Sequence, residues 1–125
     1  LKAYLLKNAG DEVPVAFAEP VLSDVKVANG FFKRLTGLIF RKNILDSEGL
    51  LFENCCSIHT LWMRFALDVV FLDSNNRILR IISNLKPFRF TPVVKKSIKI
   101  LELKAGISSE LGIETGYYLK FIDQF

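Results

Sequence analysis

Between residues 60 and 83 the chain alternates in the manner of a β-hairpin. From Thr60 the odd positions are Leu61, Met63, Phe65, Leu67, Val69 and Phe71, and the even ones Thr60, Trp62, Arg64, Ala66, Asp68 and Val70. Successive side chains of a strand point to opposite faces, so the pattern predicts one strand with a buried odd face. Asp73-Ser74-Asn75-Asn76 is a turn cluster, because Asn and Asp tolerate positive φ, and Arg77 to Ile82 returns as the partner strand.

The remaining segments are read in the same terms. Residues 2–7 and 13–18 are expected to form strands around Asn8–Glu12, with Pro14 at a strand start or an edge. Further strands are expected at 21–28, at 50–52 after Gly49, at 98–103 with apolar residues on both faces, and at 117–122. Asn29 offers an N-cap, Phe32, Leu35 and Leu38 or Ile39 follow at helical spacing, and Gly37 stands where a helix stops. Ser108 to Leu111 is expected to make one helical turn ended by Gly112. Some eight short strands with one or two short helices predict a mainly β (α+β) fold, barrel-like or sandwich-like and compact. The chain has 125 residues, half of them hydrophobic, 11 of them Phe. That is the size of one domain with one core, so a single domain over 1–125 is expected.

Several function classes are excluded or disfavoured. No apolar run reaches the roughly 18 residues a spanning helix needs. No secretory signal is visible, and the chain opens on Leu1 rather than Met, which leaves a processed start open. Cys55 and Cys56 are adjacent, far from ordinary disulfide geometry, and a single His leaves too few ligands for structural zinc. A reducing, cytoplasmic setting is therefore expected, with no metal and no cofactor. The net charge is +4. Its small clusters (Lys33–Arg34, Arg41–Lys42, Arg77/Arg80, Lys86/Arg89, Lys95–Lys96) are spread along the chain and read as an ordinary solvated surface. Nucleic-acid binding would need them on one face.

Several stretches carry a family resemblance. Arg34-Leu35-Thr36-Gly37-Leu38 with Arg41 and Leu45, Gly49-Leu50-Leu51-Phe52, the run from Ile58 to Asp73, Leu101–Gly106 and Gly112–Gly116 occur in the order found in domain of unknown function 192, also called uncharacterised ACR. The chain resembles that family from about Val25 to Ile122. Ala66 stands where the family often has Pro, and Tyr117 where it has Asp. The resemblance implies a compact β-rich fold and no particular reaction.

The candidate site residues are Arg34, Arg41, His59, Thr60, Trp62, Arg64, Asp68 and Glu102. His59 is the only histidine, and is expected at the rim of the apolar face, bonded to a backbone carbonyl, Asp68 or Glu102. Trp62 offers a stacking platform or closes a second small core capped by an Arg64–Asp68 pair. Arg34 and Arg41 suit carboxylate or phosphate recognition, and equally a buried structural role. Glu102, between Leu101 and Leu103, requires a partner if it faces inward, and Arg34, Arg41 and His59 are the choices. The leading expectation is a non-catalytic binding or accessory module. It presents the face around Trp62 and Arg64 and the loop Lys86–Phe90 to a protein or small ligand. The alternatives are an enzyme using His59 with Cys56 or Asp68 in a cleft, which the sparse chemistry disfavours, and nucleic-acid binding through a basic face.

Overall fold

The computed structural model describes residues 1–13, 19–28 and 43–123. Within them run seven strands and one short helix: β1 (Lys2–Leu6), β2 (Asp24–Ala28), β3 (Glu48–Glu53), β4 (Leu67–Leu72), β5 (Ile78–Leu85), β6 (Lys99–Lys104), α1 (Ile107–Glu110) and β7 (Tyr118–Ile122). The expected strand over 13–18, apart from Val13, the expected helix after Asn29, and Arg34 and Arg41 lie outside the described residues. No described helix is long and apolar enough to cross a membrane.

Five strands form one sheet in the order β2-β3-β6-β4-β5, with β2 parallel to β3 and every other pair antiparallel. β1 and β7 form a second, antiparallel sheet with Lys2 opposite Ile122. Backbone bonds join the two sheets at both sides. Ala3 N–H donates to the Leu22 carbonyl and Val25 N–H to that of Leu1, while Ile78 N–H donates to Tyr117 and Leu119 N–H to Asn76. The result is a mainly β, sandwich-like wrap, and the described strands do not close into a barrel.

The central strands explain the hydrophobic runs in the sequence. Leu51, Val70, Leu72, Leu101 and Leu103 point to one face of the large sheet, into a core shared with Ala3, Leu22 and Leu119. Leu50, Phe52, Val69, Phe71 and Ile100 point to the other, into a second core with Ile44, Met63 and Leu67. A sheet covered on both faces replaces alternation by continuous apolar runs. All six residues of β4 are accordingly buried, the even positions with the odd ones. This corrects the expected strand from Thr60. Pairing begins at Leu67, and residues 58–66 form turns and one isolated bridge, in which His59 faces Phe90. The turn at 73–76 and the return strand match the expectation, with Asn76 at φ 61°.

Gly49 packs closely against three leucines of the first core. A Cβ there would lie 3.0 Å from Leu101 Cδ1, 3.1 Å from Leu22 Cδ1 and 3.3 Å from Leu103 Cδ2. Gly49→Val is expected to overpack this contact and cost about 1–3 kcal/mol, read as a lower urea midpoint at unchanged slope.

Candidate functional site

The strongest local construction outside the sheets is built on Thr60, which is fully buried. Its N–H donates to the Arg89 carbonyl (2.8 Å), and its carbonyl accepts from Met63 N–H (3.2 Å) and Phe88 N–H (3.0 Å). Its hydroxyl donates to the Lys86 carbonyl (2.6 Å) and accepts from Arg89 N–H (3.0 Å). One threonine thus holds the turn at Leu61–Trp62 against the loop Lys86–Phe90. The pairing continues outward, with Thr91 N–H on the Ile58 carbonyl and Val94 N–H on that of Cys56. Opposed residues of an antiparallel pair share a face. Ile58 and Thr91 therefore point inward, and His59 and Phe90 point out to solvent.

That outward face is aromatic. Trp62 is 66 % exposed, Phe88 54 % and Phe90 71 %. Trp62 and Phe88 meet edge to face, centroids 5.8 Å apart at 76°. The ring of His59 lies 5.9 Å from that of Phe90, and its Nδ1 accepts from Leu61 N–H at 3.3 Å. Both members of the first pair sit in left-handed backbone, Trp62 at φ 67° and Phe88 at φ 60°. Bulky residues rarely adopt such values, at a cost on the order of 1–2 kcal/mol each. The Thr60 network fixes them there. Arg64, Lys86 and Arg89 are exposed on the same segments.

The other candidates lie elsewhere. Asp68 is fully buried at the start of β4. Its Oδ1 accepts from Asn84 N–H (2.9 Å), and its Oδ2 from Gly106 N–H (3.1 Å), Ser108 N–H (3.0 Å) and Ser108 Oγ–H (2.6 Å). It fastens β5 and the turn into α1 to the sheet, and these four donors stand where an Arg64 or His59 partner was expected. Glu102 faces the second core between Leu50 and Val69, its cross-strand neighbours. Burial pushes its carboxyl up to about 8, so it is a neutral acid at pH 7. His59, turned to solvent, is not its partner, and Arg34 and Arg41 lie outside the described residues. Cys55 is buried, its thiol donating to the Ser57 carbonyl at 3.0 Å, and Cys56 is half-buried. No cluster of metal-ligating side chains occurs among the described residues.

Phe88 and Phe90 belong to this exposed aromatic face and are not among the single residues that the sequence singles out, although their loop is. Their signal is an unusual absence. Residues 54–67 and 85–98 contain five Lys or Arg and not one acid.

The fold defines a mainly β protein of two edge-joined sheets with an aromatic ribbon on one side. The chain matches DUF192, described as uncharacterized ACR, over residues 15–121, and belongs to that family. It is similar to a UPF0127 protein of Pyrococcus furiosus, with 36% identity over 104 residues, 78% of this chain and 86% of that one. A UPF0127 protein of Pyrococcus horikoshii is 33% identical over 104 residues, 78% and 87% of the two chains. Two crystal structures share the fold. One is a protein of unknown function from Novosphingobium aromaticivorans (TM-score 0.70, 23% identity, 78% of this chain and 74% of that one). The other is a Sinorhizobium meliloti protein provisionally named a transcription regulator (TM-score 0.73, 22% identity, 95% and 91%).

Proposed function

We propose that this chain is a single-domain, non-catalytic binding module whose working surface is the ribbon of His59, Trp62, Phe88 and Phe90 with Arg64, Lys86 and Arg89 around it. One observation carries the reading: two large exposed aromatics are held in costly left-handed backbone by a buried threonine whose bonds serve that end. Strain maintained at an exposed site, with no core gained, is a mark of function. The catalytic alternative draws less support, because Asp68 spends its acceptors on four structural donors and His59 spends Nδ1 on the backbone.

Trp62→Asn and Phe88→Asn test the reading. Asn adopts left-handed backbone readily, so relief of strain offsets the lost ring contact, and each variant is expected to keep its stability within ~1 kcal/mol of the parent. Both are expected to lose whatever the parent retains in affinity capture. A clear loss of stability in both, with capture intact, would assign the aromatics to folding instead.

A further inference from the structure

We propose that the ribbon docks this protein on the surface of an anionic phospholipid bilayer, with the aromatic tips entering the headgroup region. The inference rests on the binding reading above and names its partner.

Charge is the first argument. The chain carries 17 basic and 13 acidic residues. Residues 54–67 and 85–98 hold five of the basic ones (Arg64, Lys86, Arg89, Lys95 and Lys96) and none of the acidic, leaving 12 against 13 elsewhere. The protein's entire excess of positive charge therefore lies on these two segments, and all five side chains are exposed. Exposed apolar surface is the second. Of the six large hydrophobic residues exposed among the described residues, Trp62, Phe88, Phe90, Val93 and Ile98 fall in the same segments, and only Leu45 lies outside them. Backbone bonds from Cys56 to Val94, Ile58 to Thr91 and Thr60 to Arg89 tie the segments into one ribbon.

The coincidence selects the partner. A partner that meets only cations must be negative over its whole breadth, whereas a folded protein surface displays both signs. A nucleic acid is also uniformly negative, but bases stack on open ring faces. Trp62 and Phe88 meet edge to face, and the aliphatic Val93 offers no ring. A bilayer with anionic lipid accepts both parts at once: cations at the phosphate level, and Trp, Phe and aliphatic side chains at the acyl boundary.

Trp62 is the chain's only tryptophan, so the surface carries its own probe. The experiment is a titration of Trp62 emission in the full chain with phosphatidylcholine vesicles with and without phosphatidylglycerol, with oligothymidylate, and with poly-glutamate. The expected result is a blue shift, with quenching by brominated acyl chains, only on vesicles containing phosphatidylglycerol. It fades as salt rises. Phe90→Ser is expected to weaken binding roughly tenfold, the share of one buried aromatic, and Lys86→Glu with Arg89→Glu to abolish it. A response to oligothymidylate or poly-glutamate without one to vesicles overturns the membrane assignment and leaves the binding surface standing. No response to any of these probes overturns the membrane assignment, and the binding reading then stands or falls by the capture and stability of Trp62→Asn and Phe88→Asn.

Discussion

Asp68→Ala is expected to lower the folding free energy by on the order of 3–5 kcal/mol, a large part of the stability of a domain this size. The carboxyl group is fully buried and collects three backbone N–H groups and one hydroxyl from two separate places in the chain, β5 and the turn into α1. Deleting it strands all four donors in a site shaped around the acceptor, and each unsatisfied donor costs about 1–3 kcal/mol, less where water enters. Asp68→Asn is expected to fall between, since its amide nitrogen turns a donor toward another donor. Urea unfolding measures the loss. Amide exchange should accelerate first at Asn84, Gly106 and Ser108, before the sheet opens. A loss below ~1 kcal/mol would mean that the donors find water readily and that Asp68 is not the fastener described.

Glu102 gives the second large effect, and it is set by pH. The unfolded carboxyl titrates at its ordinary 4.5, and the folded one at about 8 because burial disfavours the charge. Below 4.5 both states hold the proton. Between these values the unfolded chain releases it and the folded protein retains it, so the unfolded state binds fewer protons and stability falls as pH rises. Above about 8 both are ionised and the penalty stops growing. At ~1.4 kcal/mol per unit, the interval corresponds to about 5 kcal/mol lost between pH 4.5 and pH 8. Glu102→Gln removes this titration. Its unfolding free energy is expected to stay flatter over the same range, and to exceed the parent's at pH 8 by several kcal/mol. Parallel pH profiles for the two proteins would sink the argument.

Hydrophobic patterning made the sheet legible, and concealed where one strand begins. The segments at 50–52 and 98–103 read as strands because burial on both faces puts apolar residues at successive positions, Leu50-Leu51-Phe52 in one and Ile100-Leu101 in the other. The same double burial defeated the reading of 60–71. Val70 and Leu72 fill the first core, whereas Leu61 and Met63 precede the strand. Alternation carried over from a turn by chance extended β4 by seven residues. The candidate surface was legible in part. Trp62, Arg64 and the loop Lys86–Phe90 were picked out as an exposed surface, and Thr60 as a member of the cluster. No local pattern shows that Thr60 is the joint between them, because its partners lie 26 and 29 residues away. Asp68 and His59 were grouped by proximity in sequence, but a strand start separates them, one turned into the core and one to solvent.

The pairing of β1 with β7 has a consequence for how the chain reaches this structure. Lys2 lies opposite Ile122 and Leu6 opposite Tyr118, so the small sheet forms only when the two ends of the described chain meet. Ala3, though on the first of these strands, is completely enclosed. During synthesis β1 emerges before the other described strands, and its ladder partner β7 emerges after all of them. Such non-local pairing raises contact order and places folding toward the milliseconds-to-seconds regime. Until β7 arrives, β1 exposes an unpaired edge, and a nascent chain of this kind is at its most aggregation-prone in that interval.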